Sequence, residues 1–299
     1  MIDRACISLG ERCNLKCGYC HFKKNLTEKP QEFSIQELIE LIENINRNSE
    51  KNKIEIFKIG IVGSGEPFLE FQKIEKIVQY VKEKKYNRLR FYTVTNGTIM
   101  SDDILNFIYE NKDIISICFS LDGYEELHNV GREKFIDTYN NIERYEKIFG
   151  KKPAINCTVH IETLKNIEKL KSFFIVNKFN EINFSKMVGN FKDLDEISNQ
   201  EYTEFIEKFN TKQFLIRQLR SENINKYDCT MYGKLCGVGK TNIFITKQGI
   251  FPCGRFYGKE EFNYGCFSER FDKIEEKMSK MLKIKAGECY YKKYVLEEK

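Results

Sequence analysis

Two hydrophobic periods take turns along residues 1 to about 190, and no other feature restricts the fold as tightly. Short stretches that read as strands are "ACISLG" (5–10), "KIEIFKIGIVG" (53–63), "LRFYTVT" (89–95), "IISICFSL" (114–121), "AINCTVH" (154–160) and "EINFSKMVG" (181–189). Between them lie segments with apolar residues at helical spacing: 34–46, 69–84, 102–111, 137–149 and 164–177. Ser34 stands where a helix N-cap is expected. Strands separated by helix-length crossovers pair in parallel, and the crossovers are right-handed. The expected architecture is therefore α/β, a partial (β/α)6 TIM-like barrel whose reactive groups gather at the C-terminal strand ends.

The chemically distinctive residues fall at those ends. A loop with three cysteines follows the first strand, "GSGEP" (63–67) the second and "TNG" (95–97) the third, while "SLDG" (120–123) closes the fourth. Asn156, Thr158 and His160 share one parity of the fifth strand and face one way. Cys6, Cys118 and Cys157 lie in strands and read as small buried hydrophobes; Cys118 also shares the parity of Ser120. Asp122-Gly123 and Asn96-Gly97 are also ordinary turn signals.

Composition removes several classes. The chain has 299 residues, 41% of them hydrophobic, enough for a large domain and a small one. No apolar run approaches a membrane span, and the start lacks a signal-peptide pattern. Eleven cysteines without such a signal point to a reducing, cytoplasmic setting rather than a disulfide framework. A net charge of +5, spread over interleaved Lys and Glu, is too mild to imply nucleic acid, and no membrane partner is indicated.

"ERCNLKCGYCHF" (11–22) spaces Cys13, Cys17 and Cys20 as C-x3-C-x2-C. Three thiolates hold three irons of a [4Fe-4S] cluster and leave the fourth iron open. A zinc site would need a fourth ligand nearby, and His21, adjacent to Cys20, is poorly placed to supply it. This motif, followed by the Gly-Glu-Pro loop, resembles the radical S-adenosylmethionine (SAM) superfamily. The resemblance implies that SAM chelates the open iron and is cleaved by one electron to a 5′-deoxyadenosyl radical. It implies cofactor contacts from Tyr19 beside the adenine, from the backbone around Gly65 and Glu66, and from Ser120 and Asn156. "SLDGYEELHNVGR" resembles a stretch whose final arginine pairs with the SAM carboxylate, here Arg132. Ser64 departs from the usual first glycine of the Gly-Gly-Glu run.

Five of the eleven cysteines lie in the last 71 residues: Cys229, Cys236, Cys253, Cys266 and Cys289. "IFITKQGIFPC" (243–253) reads as a hairpin turning at Gly249. The region is similar to the SPASM or twitch extension of radical SAM peptide maturases. The resemblance divides the chain into a barrel over 1–220 and a truncated auxiliary Fe–S domain over 221–299. It implies one auxiliary [4Fe-4S] cluster with ligands drawn from Cys229, Cys236, Cys253, Cys266 and Cys289, of which Cys229, Cys236, Cys253 and Cys289 match the extension; the cysteine that normally follows Cys289 is absent, and a degenerate, cluster-free lid is the alternative.

The substrate implied is a ribosomally made peptide, modified by a thioether or related crosslink. Gly254 stands where sulfatase-maturing relatives carry an aspartate after the matching cysteine. A first strand near residue 4 leaves no space for a leader-binding module, so either a separate leader-binding protein or a leaderless substrate is expected. A flavodoxin or ferredoxin is the expected electron donor. The competing readings are a radical dehydrogenase or epimerase of a small sugar or cyclitol, and a non-enzymatic Fe–S scaffold or electron-transfer protein.

Overall fold

The computed structural model describes residues 1–22, 31–191, 194–219, 237–281 and 289–296. One sheet of nine strands runs through them in the order β7-β6-β5-β4-β3-β2-β1-β8-β9. The six expected strands are β1 (Arg4–Ile7), β2 (Phe57–Ile61), β3 (Leu89–Thr95), β4 (Ile115–Ser120), β5 (Ala154–Val159) and β6 (Glu181–Lys186), all parallel to their neighbours. A short β7 (Leu215–Ile216) adds to the β6 edge. At the other edge β8 (Asn242–Thr246) lies parallel to β1, and β9 (Gly249–Phe251) returns antiparallel to it. The hairpin read near Gly249 is thus a continuation of the barrel sheet. The edges at β7 and β9 are not paired to each other, which leaves the barrel open.

The crossovers are α1 (Ile35–Lys51), α2 (Phe71–Glu83), α3 (Asp102–Glu110), α4 (Glu125–Gly131), α5 (Phe135–Phe149), α6 (Ile161–Lys165) and α7 (Ile167–Val176). Beyond them are α8 (Asn199–Lys208) and α9 (Phe271–Met281). Ser34 caps α1 in a capping box with Glu37, at the expected position; Ser198 and Glu201 form the same box at α8, and Ser101 caps α3 by accepting from the Ile104 N–H. The single helix expected over 164–177 is two. Asn166 (φ −120°) breaks it, its amide bonding the Glu162 carbonyl and its Oδ1 accepting from Tyr124. Sequence reading placed no helix at α4; its seven residues are too few for a readable apolar period.

Helix α1 buries Leu38, Leu41, Ile42 and Ile45, one face at helical spacing. Full burial of such a side chain contributes about 1.5–3 kcal/mol. Along β3, Leu89 and Phe91 are buried, while Arg90, Tyr92 and Val94 are partly accessible. The same alternation recurs on β6, where Glu181, Asn183 and Ser185 are the accessible set. One face of these strands is a packed core, and the other forms a polar inner wall.

Candidate active site

The cysteine loop, residues 8–22, is held over the strand ends by contacts that demand small residues beneath it. A Cβ on Gly65 would lie 2.5 Å from the Arg12 carbonyl and 2.7 Å from that of Gly10, so only glycine lets the two loops approach. The Glu66 N–H donates to the Arg12 carbonyl at 2.8 Å. Ser64, the departure from a double glycine, is accommodated by a serine pair: its hydroxyl is 2.9 Å from that of Ser8, and its N–H donates to Ser8 Oγ at 3.1 Å. Arg12 donates to Glu70 at 2.6 Å, and Asn14 bonds Thr98 and Asn96 of the loop after β3.

Glu66 is fully enclosed. Its carboxylate accepts from Thr95 Oγ1 at 2.6 Å, the Asn96 N–H at 2.8 Å and the Phe68 N–H at 3.2 Å. Burial raises its pKa, and these three donors oppose the rise. Its side chain therefore fastens the second and third strand-end loops together. Asn96-Gly97 is a turn, with Gly97 at φ +74° and the Asn96 Oδ1 accepting from the Thr98 N–H.

Asp122 is the residue that sequence reading undervalued. It follows β4 by two positions and is 0% exposed. Its Oδ1 accepts from the Thr158 N–H of β5 at 2.8 Å, and its Oδ2 accepts from the Tyr19 hydroxyl and from Arg132 Nε at 3.3 Å. The Asp122 N–H donates to His128 Nδ1, so His128 Nε2 carries the proton and faces the Glu133 carbonyl. Burial alone would raise the Asp122 carboxyl; the charge of Arg132 and the bonds from Tyr19 and Thr158 hold it below the ordinary value. In the sequence Asp122 stands inside "SLDGYEELHNVGR", where with Gly123 it reads as an ordinary turn.

Arg132 joins this carboxylate to the cysteines. Its guanidinium lies 5.4 Å from the Tyr19 ring centroid, and its Nη1 is 3.7 Å from Cys17 Sγ. Gly131 leaves room for that ring, since a Cβ there would meet Tyr19 at 2.4 Å. The Gly18 N–H donates to the Gly131 carbonyl at 2.8 Å, fixing the loop to the end of α4. Cys13 is exposed, Cys17 buried and Cys20 half-buried. Burial pushes the Cys17 thiol up to about 11; the sulfur of Cys13 is desolvated by the loop although the residue as a whole is exposed, and its thiol is raised too. Arg132 pulls both down, while Asp122 and the neighbouring thiols raise Cys17.

Ser120 ends β4 and is buried. Asn156 stands in the inner wall, its Oδ1 accepting from Asn183 at 2.6 Å and Ser185 at 3.0 Å. Tyr19, Arg132 and the three cysteines are brought together; Gly65 and Glu66 lie beneath the same loop. Cys253 packs against a second apolar cluster that includes Phe251, Phe256 and Tyr290, and Cys289 directly precedes Tyr290 in the chain. Cys266 is exposed, and Cys229 and Cys236 fall outside the described residues.

These residues fit an iron–sulfur cluster and a bound organic ligand. Three thiols from one loop, electrostatically coupled, with a guanidinium beside one of them, form a soft donor set suited to an anionic cluster. Among the described residues no three His, Cys, Asp or Glu side chains close on a single metal ion. His160, 0% exposed at the end of β5, leaves both ring nitrogens without a partner, 6.3 Å from the Tyr19 ring. Buried polar groups are ordinarily satisfied, so an orphaned imidazole here marks room for polar atoms of a ligand.

A parallel α/β half-barrel with a three-thiolate loop at its C-terminal mouth defines a class of metalloenzyme. The radical SAM superfamily model matches residues 7–174, more than half of the chain, and the chain belongs to that superfamily. Members of this family use a [4Fe-4S] cluster and SAM. Among relatives, the cysteine-type anaerobic sulfatase-maturating enzyme of Clostridium perfringens is 27% identical over 184 residues, 58% of this chain and 48% of that protein. The chain thus spans about half the length of that maturase. The S-adenosylmethionine-dependent nucleotide dehydratase of Psychrobacter lutiphocae is 27% identical over 282 residues, 87% of this chain and 83% of that protein. The structure of native anSMEcpe with bound AdoMet and Cp18Cys peptide matches with a TM-score of 0.71 at 21% identity, covering 91% of this chain and 79% of that one. That likeness establishes the fold. No helix among the described residues is long and apolar enough to cross a membrane.

Proposed function

We propose that this chain is a radical SAM enzyme that modifies a peptide, forming a thioether or related crosslink. The observation that carries the radical SAM half is the Arg132–Asp122–Tyr19 assembly against the Cys13, Cys17 and Cys20 loop. When bound, the cluster supplies one electron and SAM the 5′-deoxyadenosyl group that abstracts hydrogen. Cys13, Cys17 and Cys20 hold the cluster. Tyr19 flanks the adenine, and Arg132, oriented by Asp122, meets the SAM carboxylate. The backbone at Gly65 and Glu66, with Ser120 and Asn156, completes the cofactor contacts, and the packed loop excludes water. The peptide half is supported by the cysteine-bearing C-terminal region and by the maturase relative named above. Residues 221–299 form an auxiliary region in which Cys253 and Cys289, with Cys229 and Cys236, ligate a second cluster. A flavodoxin or ferredoxin in a reducing compartment donates the electron, and a separate protein presents the peptide leader.

A second reading is a small-molecule reaction, favoured by the alignment with the nucleotide dehydratase, which spans 83% of that protein. Anaerobic reconstitution followed by mass spectrometry of 5′-deoxyadenosine tests the shared chemistry. Replacing Cys13, Cys17 and Cys20 together by Ala must abolish it, and an undiminished yield sinks the radical SAM assignment. Mass changes in short peptides encoded beside this protein, against changes in nucleotides, decide between the two substrates.

A further inference from the structure

The inner wall of the barrel opens at the N-terminal strand ends into a cavity of about 840 Å³, the size of a site for one small organic ligand. It lies away from the cysteine loop, along the starts of β4, β5 and β6 and across to β7. Its lining is lopsided in charge. Among the described residues, Lys112, Lys151, Lys152, Lys212 and Arg217 border it, with one carboxylate, Glu181. Lys152 is engaged by Glu146 at 2.8 Å, and Lys112 lies over the Tyr109 ring, 4.1 Å from its centroid. Lys112, Lys151 and Lys212 come from three different turns, so no helix period accounts for their convergence.

Outside that lining, the starts of β1, β2 and β3 carry a second row of cations, of which Arg90 donates to the Asn87 and Leu89 carbonyls. Strand register sets Arg4 beside Lys58 and Lys58 beside Arg90. Asp3 lies near Arg4 and Lys58 and offsets part of their charge. The Nε of Arg4 is buried without a hydrogen-bond partner. Deeper in, the wall is polar and uncharged. Tyr92 lies over its neighbour Gly60 on β2, where a Cβ would lie 2.5 Å from its ring, and its hydroxyl is 3.4 Å from Cys6 Sγ on β1. Asn156 and Asn183 supply amides on the opposite side.

We infer that this chamber binds a small molecule bearing a polyphosphate, with the phosphates at the Lys112, Lys212 and Arg217 rim and the remainder directed along the wall toward the cysteine loop. A monocarboxylate needs one cation; several cations from separate segments around one mouth match a ligand carrying several negative charges. The placement rests on the radical SAM reading only for what happens to the ligand, because binding itself requires no SAM cleavage.

Isothermal titration of the reconstituted full chain with ATP, pyrophosphate and adenosine tests it. ATP and pyrophosphate are expected to bind, and adenosine far more weakly. Lys212→Ala with Arg217→Ala is expected to weaken ATP by about tenfold or more, while SAM affinity and thermal midpoint stay near wild type. Lys112→Ala with Lys212→Ala, both exposed side chains, guards against a folding defect at Arg217 and is expected to act in the same direction. Lys76→Ala, exposed on α2, is expected to change nothing. The inference is overturned if neither phosphate compound binds, if both double variants bind as wild type does, or if ATP merely competes with SAM. A failure of SAM cleavage with phosphate binding intact would count against the radical reading and leave the chamber standing.

Discussion

Arg132 and Asp122 form an ion pair at 3.3 Å, with side chains 12% and 0% exposed, and the pair ties α4 to the end of β4 directly beneath the cysteine loop. Removing one partner of a buried pair strands the other charge, at a cost of about 3–5 kcal/mol. Asp122→Asn is therefore expected to lower unfolding stability by that order, read from urea denaturation. A midpoint equal to wild type would show that Arg132 finds another partner.

The same carboxylate gives a pH signature. Its pKa is lower in the folded protein than in the unfolded chain, so the unfolded state binds more protons as acid is added. Its stabilisation is present above the unfolded value of about 3.9 and is lost as pH falls through the folded value. The His160 pKa is also lowered, here by burial itself, so folding loses stability below about pH 6.5, where the unfolded imidazole charges first. His160→Phe is expected to flatten stability against pH just below neutrality, and Asp122→Asn to flatten it only in strong acid. Identical slopes across the wild type and both variants would contradict these assignments.

Arg132→Ala should weaken SAM binding by about 1.5–3 kcal/mol, the range for a hydrogen bond to a charged group. Equilibrium titration of the reconstituted protein measures it, with the unfolding midpoint recorded in parallel. Wild-type affinity would place the SAM carboxylate elsewhere.

Gly65→Ala drives a Cβ into two backbone carbonyls and has no flexible neighbour to yield. We expect a loss of about 1–3 kcal/mol and a displaced cysteine loop, seen as reduced iron and sulfide per chain. Ser64→Gly loses only the hydroxyl pairing with Ser8 and should retain full cluster content. Equal iron in both variants would mean the loop contact is slack.

Iron content also tests the C-terminal region. Reconstitution is expected to give about eight irons, two four-iron clusters, and Cys253→Ala with Cys289→Ala to leave about four. SAM cleavage without substrate should survive that change. A wild type holding about four irons would remove the auxiliary cluster from the proposal.

What the sequence determined by itself is local and periodic. Alternation along 89–95 and the apolar spacing of 34–46 predict β3 and α1 because each pattern is complete within one or two turns or pleats. The cap at Ser34, the turn at Asn96-Gly97 and the cysteine spacing are likewise short-range. Tertiary structure decided the rest. Tyr19 meets Asp122 across 103 positions, and Asp122 meets Thr158 across another 36, so no window of sequence contains that site. The strand at 242–246 was readable as part of a hairpin, but its place beside β1 follows from which sheet edge stood open to its N–H and C=O groups. The cationic rim has the same origin: separate turns assemble it, and charges scattered along a chain acquire a shared field only when folding brings them around one cavity.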